Sequence, residues 1–277
     1  NIYEFNPKIE IIEPDFGEKG KLEILSKIGT EKPGKRIVCK INATYFGGLN
    51  EYYGPFIKNG LWYGSLSKIF MGIIFTKGYN LIFDKITDLQ TAAYWQGNAF
   101  WVIGGSFTLT LNGQISMLNT ENFPHFAEKH PRTAIGQKAN GNIVLVVVDG
   151  RSKENAGVTG YELAKIMLDL GCANSINLDG GGSSEMIVEG KIVNKPSDGK
   201  ERPIGAALIV YEEVDNVKKK VYISPSTQEY NIGVGNYGTE EKRMNEIADV
   251  VCVLLEYNGF EVRRNKPEMT LSQVIAD

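Results

Sequence analysis

Histidine occurs twice in 277 residues, at His125 and His130, and cysteine three times, at Cys39, Cys172 and Cys252. Two imidazoles are too few for a histidine-rich zinc site, and three widely spaced thiols lack both metal-ligand spacing and a disulfide pattern. The cysteines read as buried thiols that act as small apolar side chains. No stretch approaches the roughly 20 apolar residues that cross a bilayer, so no membrane span is expected. Basic excess is missing too. Lys and Arg total 30 against 33 Asp and Glu, with a net charge of −3, and no basic stripe marks a nucleic-acid partner. The run Lys218–Lys220 reads as a solvated stretch. No internal repeat and no low-complexity segment stands out. The chain opens on Asn1, as a processed or trimmed chain would, which leaves export open.

What remains is an ordinary globular composition, 42% apolar and 23% charged, enough for a substantial core. Up to about residue 155 the pattern is strands and turns. FTLTLNGQISM holds Asn112-Gly113 between alternating segments, and TAIGQKANGNIVLVVVDG repeats the device with Asn140-Gly141. The apolar run Ile143 to Val148 predicts a strand buried on both faces. A helix follows: Thr159 and Glu162 have capping-box spacing, Leu163, Ile166, Met167 and Leu170 form a stripe, and Gly171 ends it. A short strand SINL, a hairpin about Glu189-Gly190 and a strand in IGAALIVYEE complete this region. The expected fold is α+β: a mixed, mostly antiparallel sheet with packed helices over residues 1–213. Residues 214–220 read as a linker, and 221–277 as a small, incomplete α/β segment of βαβα order.

Two constellations can carry chemistry. If Asn140-Gly141 is a two-residue turn, Ala139 pairs with Asn142 and Arg132 then faces Asp149 across the strands, with Cβ atoms about 5 Å apart. That pair is either a plain cross-strand ion pair or an arginine aimed at an anionic substrate and oriented by its carboxylate. The second is NLDGGGSS, residues 177 to 184. A strand delivers Asp179 to its end, and Gly180, Gly181 and Gly182 follow. Such a run indicates unusual dihedrals or a close approach, and its N–H groups can form an anion-binding concavity. The plainer reading is a glycine-rich turn with a solvated aspartate. A nucleotide P-loop is excluded because Gly-Lys-Ser/Thr is missing. A nucleophile at Ser183 or Ser184 would need His125 or His130 as its base.

The order INATYF (41 to 46), PRTAIG (131 to 136), DGR (149 to 151), helix, NLDGGGSS and ERPIGAALIV (201 to 210) resembles the phosphodiester glycosidases. That family includes the uncovering enzyme, which removes N-acetylglucosamine from mannose-6-phosphate on lysosomal proteins. Where the family commonly has Asn-Gly-Gly-Tyr-Phe, this chain has Asn42-Ala43-Thr44-Tyr45-Phe46, and in the last motif only Arg202 and the apolar strand match clearly. The resemblance implies hydrolysis at the anomeric C–O bond of a sugar-1-phosphodiester. Positive charge develops on the sugar while a phosphate monoester departs. Asp179 is then the carboxylate at the anomeric carbon, with Asp149 orienting Arg132 or acting as a second carboxylate. Arg132, Arg202 and the Gly180–Gly182 backbone are the phosphate donors, Ser183 lies in the same motif, and Asn42 either bonds the substrate or caps a turn. No cofactor is implied.

Residues 221–277 resemble the first third of a zinc-dependent N-acetylmuramoyl-L-alanine amidase, with Glu241 at the position of a ligand. No histidine follows His130, so zinc hydrolysis is not expected from this chain. The combination implies a bacterial or phage protein acting on a sugar-phosphodiester or cell-wall glycan, outside the cell or at its envelope. A noncatalytic carbohydrate-binding module is the competing reading. It would need an aromatic platform, for which Tyr45, Phe46, Tyr52, Tyr53, Trp62 and Tyr63 are candidates.

Overall fold

A computed structural model describes residues 1–17, 21–47, 51–214, 220–223, 240–257 and 260–264. The chain divides into two units, Asn1–Val214 and Asp215–Asp277, each described by itself.

Three antiparallel sheets make up the first unit. The six-stranded sheet runs Ile2–Phe5, Ile143–Val148, Arg132–Lys138, Cys172–Asn177, Thr108–Leu111, Gln114–Ile115 in spatial order. One five-stranded sheet is ordered Lys191–Ile192, Met186–Val188, Lys35–Asn42, Ala206–Glu213, Glu10–Phe16. The other is ordered Leu61–Trp62, Ile57–Lys58, Ala99–Gly105, Met71–Thr76, Leu81–Asp84. All three contribute to one core, in which Ile135, Leu145 and Ile176 meet Ile41 and Leu208 from the second sheet and Ile73, Trp101 and Ile103 from the third. The continuous apolar run has the predicted cause. Ile143, Leu145 and Val147 face that central core, while Val144 and Val146 face a second one under the helix Gly160–Asp169. That helix has its capping box, with Glu162 N donating to Thr159 Oγ1 at 3.1 Å and Thr159 N to Glu162 Oε2 at 2.8 Å. It buries Leu163, Ala164 and Met167, and Gly171 closes it with φ at 81°.

The two Asn-Gly turns part company. Asn112 and Gly113 both take positive φ, 50° and 75°, so Leu111 pairs with Gln114 across the expected two-residue loop. In the second hairpin only Gly141 is left-handed, at 92°. Lys138 N donates to Asn142 O at 2.9 Å, and Gly141 N donates to Lys138 O at 3.0 Å, which makes a three-residue loop Ala139–Gly141. The register moves by one, and Arg132 stands opposite Val148, not Asp149. The expected Arg132–Asp149 pair is therefore absent, since a one-residue slip turns every facing side chain over.

In the second unit, Lys220–Ile223 and Glu261–Arg264 pair in parallel, with the helix Glu240–Tyr257 between them in sequence. Residues 215–219 of the expected linker, the loop 224–239, the Glu241 side chain and the last expected helix lie outside the described residues. No helix of the described residues is long and apolar enough to cross a membrane.

Candidate active site

Asp179 is placed by backbone, not by its own side chain. Leu178 N donates to Thr133 O at 2.8 Å, Asp179 N to Ala43 O at 3.1 Å, and Asn42 Nδ2 to Asp179 O at 2.7 Å. These bonds stitch the end of Cys172–Asn177 to two neighbouring strands, and the carboxylate lines a cavity of about 300 Å³. Asn42 was a substrate-binding candidate. Instead it is buried at 1% exposure, and its Oδ1 accepts from Thr133 Oγ1 at 2.7 Å and from Glu185 N at 3.2 Å. It is a positioning residue.

The cavity joins Asp179, Gly180, Gly181 and Gly182 with Arg132, Arg151 and Arg202, and Tyr45, His125 and His130 complete the wall. Asp179 and Arg132 thus share one cavity, and the Nε and Nη2 edge of Arg132 is committed to the protein. Arg132 is 2% exposed, and its guanidinium donates to the carbonyls of Val158 (3.2 Å), His125 (2.7 Å) and Glu128 (2.9 Å). It pins the loop that carries His125 and His130 and contributes its charge at short range. Arg132→Met should strand those carbonyls and lower stability by about 2–4 kcal/mol, read as an earlier urea midpoint. Asp149 does not line the cavity. Its Oδ1 accepts from Asn194 Nδ2 at 3.1 Å and Lys195 N at 2.9 Å, so its work is to tie two loops together.

Two of the three glycine N–H groups are committed within the protein. Gly180 N donates to Asp179 Oδ1 at 2.8 Å and Gly181 N to Pro131 O at 2.9 Å, so these donors are spent within the protein. What the missing side chains supply is room. A Cβ on Gly181, whose φ is 62°, would stand 3.0 Å from Arg151 Nη2, and one on Gly182 would stand 2.1 Å from Arg202 Nη2. Both guanidiniums rest on the bare loop. Because the obstructed group at Gly182 is the end of a flexible chain, Gly182→Ala should displace Arg202 and spare the fold. Affinity of the cavity for a phosphate anion should fall roughly 10- to 100-fold with little change in melting temperature.

Arg202 is steadied by Asp198, with Nε to Oδ2 at 2.8 Å and Nη2 to Oδ2 at 2.7 Å. Arg151 was not singled out from the sequence, although it follows Asp149-Gly150 at the end of an apolar strand, as Asp179 does at the end of another. It takes φ 58°, and its Nη2 lies 3.4 Å from His130 Nδ1, while His130 Nε2 lies 3.0 Å from Glu128 Oε2. If Arg151 donates to Nδ1, the imidazole proton sits on Nε2 and bonds Glu128.

Electrostatically, the site is a single carboxylate among three guanidiniums. Burial pushes the Asp179 carboxyl up to about 6, against the opposing pull of its Ser183 hydrogen bond, the Gly180 N–H and the Arg202 charge. Ser183 is itself buried, so its role is to hold Asp179. Burial, then the Arg132 charge, lowers the His125 imidazole, and burial raises the Tyr45 phenol well above its usual range. A carboxylate held partly protonated beside fixed cations suits a substrate in which cationic and anionic character must be stabilised a few ångströms apart.

Comparison with known proteins places the chain in a family. The family model described as phosphodiester glycosidase matches residues 35–211. A SPbeta prophage-derived uncharacterized protein, YomE, of Bacillus subtilis is 31% identical over 231 residues, 79% of this chain and 34% of its own. The Bos taurus and Homo sapiens N-acetylglucosamine-1-phosphodiester alpha-N-acetylglucosaminidases are each 42% identical over 67 residues, 24% of this chain and 12% and 13% of theirs. The chain spans about a third of the prophage relative and a smaller share of the mammalian ones. Among solved structures, the zebrafish N-acetylglucosamine-1-phosphodiester alpha-N-acetylglucosaminidase catalytic domain, described as auto-inhibited by its pro-peptide, superposes with a TM-score of 0.62 at 23% identity, covering 76% of each chain. A hypothetical protein from Synechocystis gives 0.56 at 15% identity, with 76% of this chain and 58% of that one. These two likenesses are of fold. With well over half of its length matched by one family model, the chain belongs to the phosphodiester glycosidase family.

Proposed function

We propose that residues 1–213 hydrolyse the anomeric C–O bond of a sugar-1-phosphodiester, with Asp179 as the carboxylate at the anomeric carbon and Arg151 and Arg202 as the phosphate clamp. The observation that carries this reading is the lone carboxylate in a cavity with two arginines laid over the glycine loop. As the C–O bond lengthens, positive charge grows on the sugar, and Asp179 stabilises it, attacks the carbon or activates water. The electron pair of the bond leaves with the phosphate oxygen. The departing monoester is already a stable anion, so two guanidiniums serve it better than a proton donor. Among the described residues Asp149 does not pair with Asp179 as the second carboxylate of an ordinary glycosidase would, because it is turned away on Asn194 and Lys195.

The mammalian relatives are named for N-acetylglucosamine-1-phosphodiesters, which makes that sugar the first to test. The prophage origin of YomE supports a bacterial or phage setting; an envelope glycan at or outside the cell surface is the substrate we propose for this chain. UDP-N-acetylglucosamine and a panel of other sugar-1-phosphodiesters should release free sugar in the presence of the protein. If the protein hydrolyses none of a broad panel, a noncatalytic carbohydrate-binding role replaces the enzymatic one.

A further inference from the structure

A larger cavity, about 650 Å³, shares no lining residue with the catalytic one. It lies between the segment Pro7–Pro14 and the strands Met71–Thr76 and Ala99–Gly105. Its floor is the stacked pair Phe75 and Trp101, both buried, with ring centroids 5.2 Å apart. Its wall is Tyr79 and Phe100, 5.5 Å apart and 36% and 43% exposed, so two aromatic faces remain open. Large aromatic surface left in contact with water inside a concavity marks a binding site more often than a packing fault.

Charge and backbone together narrow the occupant. Three of the charged side chains that line it are matched, Glu13 to Lys32, Lys58 to Asp15, and Glu212 to Arg36, and the other two, Lys8 and Glu213, are of opposite sign. A rim so balanced favours no strongly charged ligand, unlike the arginine-rich catalytic cavity. Asn59 and the paired carboxylates still offer hydrogen-bond positions around the aromatic wall. A peptide added as a strand is disfavoured, although Glu10–Phe16 is the edge of its sheet. On the open edge the Ile12 carbonyl is taken by Trp101 Nε1 at 2.7 Å, and Pro14, two residues on and facing the same way, has no N–H. An acyl chain needs apolar walls all round, which the lysine and glutamate side chains here do not give. Sugar rings present apolar C–H faces to aromatics and hydroxyls to carboxylates and amides, which is the pattern of this groove.

We infer that this groove is a second carbohydrate-binding site, which takes an uncharged stretch of glycan through Tyr79 and Phe100. It stands apart from the catalytic reading, since it is tested by binding and not by sugar release. The full chain is titrated calorimetrically with chitohexaose, cellohexaose and maltohexaose. At least one should bind with a dissociation constant of roughly 0.1–1 mM. Phe100→Ala should weaken that binding about tenfold or more. Tyr79→Asn is the second variant. Tyr79 has φ 62°, a region asparagine tolerates better, so the ring is lost while the backbone is relieved. Asp179→Asn should bind the hexasaccharide as the wild type does. The inference is overturned if none of the three binds at roughly 10 mM, if binding survives both groove substitutions, or if Asp179→Asn abolishes it. Uptake of a fatty acid without any glycan also overturns it.

Discussion

Asp179→Asn should lower kcat/KM for a sugar-1-phosphodiester by roughly 10³-fold or more, with KM little changed. The amide keeps the shape of the side chain and can still accept from the Gly180 N–H, which holds Asp179 Oδ1 at 2.8 Å. Charge and nucleophilicity are what it removes, and both matter only as the anomeric carbon becomes electron-poor. In the proposed clamp phosphate is held by Arg151 and Arg202, so its binding should persist. The wild-type pH profile gives an independent check. Burial pushes the carboxyl up to about 6 in the free protein, and the ionised form is the reactive one. Activity should therefore be level above that pH and fall about tenfold per unit below it. An activity that holds steady to pH 4, or an asparagine variant as fast as the parent, would assign the chemistry to another group.

The carboxylate was legible because its signal is local. An apolar strand ending in Asp179, followed by three glycines, needs no tertiary information to mark a strand-end loop under conformational demand. The capping box at Thr159 and Glu162 and the two-sided burial of Ile143–Val147 were legible for the same reason. The arginines were legible in part: Arg132 and Arg202 were named and both line the cavity, but Arg132 was given the wrong neighbour and Arg151 was not singled out. The choice of Arg132 and Asp149 as partners depended on loop length, and Asn140-Gly141 is compatible with either a two- or a three-residue loop. Three residues form because Gly141 alone takes the left-handed conformation, and one step of register then removed the pair. Arg151 escaped notice because its importance lies in resting over Gly181, a contact between residues 30 positions apart. Asn42 was left between substrate contact and backbone capping, and its bonds to Asp179 O and from Glu185 N follow the second. The glycines pointed to close approach, and the sequence could not say that the approaching group was the protein's own guanidinium.

Aromatic density was legible, but its exposure was not. Of the candidate platform Tyr45 to Tyr63, Tyr52 is buried and stacks on Phe56, whereas Tyr53 and Tyr63 are each 39% exposed. The exposed pair Tyr79 and Phe100 is brought together by a turn and a neighbouring strand that no local pattern links.

Glu185→Gln should raise the melting temperature at pH 9 by roughly 5–10 °C and leave it unchanged near pH 5. Glu185 follows the serines of the glycine motif, and it is buried at 2% exposure with Oε1 lacking a hydrogen-bond partner among the described residues. Its neighbour Glu201 is held by Ser26, through N to Oε2 and Oγ to Oε1, both at 2.9 Å. Burial, then the Glu201 charge and a hydrogen bond shared with it, pushes the Glu185 carboxyl up to about 8. One carboxyl of the pair thus keeps its proton at neutral pH. The buried Lys40 bonds the carbonyls of Ser26 and Ile28 at 3.1 Å and 2.5 Å, so its charge is already committed to that segment. The folded state therefore binds a proton that the unfolded chain releases between its ordinary carboxylate value and pH 8. By linkage, stability falls as pH rises through that window, by an amount on the order of a few kcal/mol. Glutamine keeps the neutral form's hydrogen-bonding shape and has no proton to lose, so the decline should vanish in the variant. Thermal melts of both proteins between pH 5 and 9 decide the matter. Parallel curves would mean that Glu185 is ionised in the fold and that Glu201 is compensated from elsewhere.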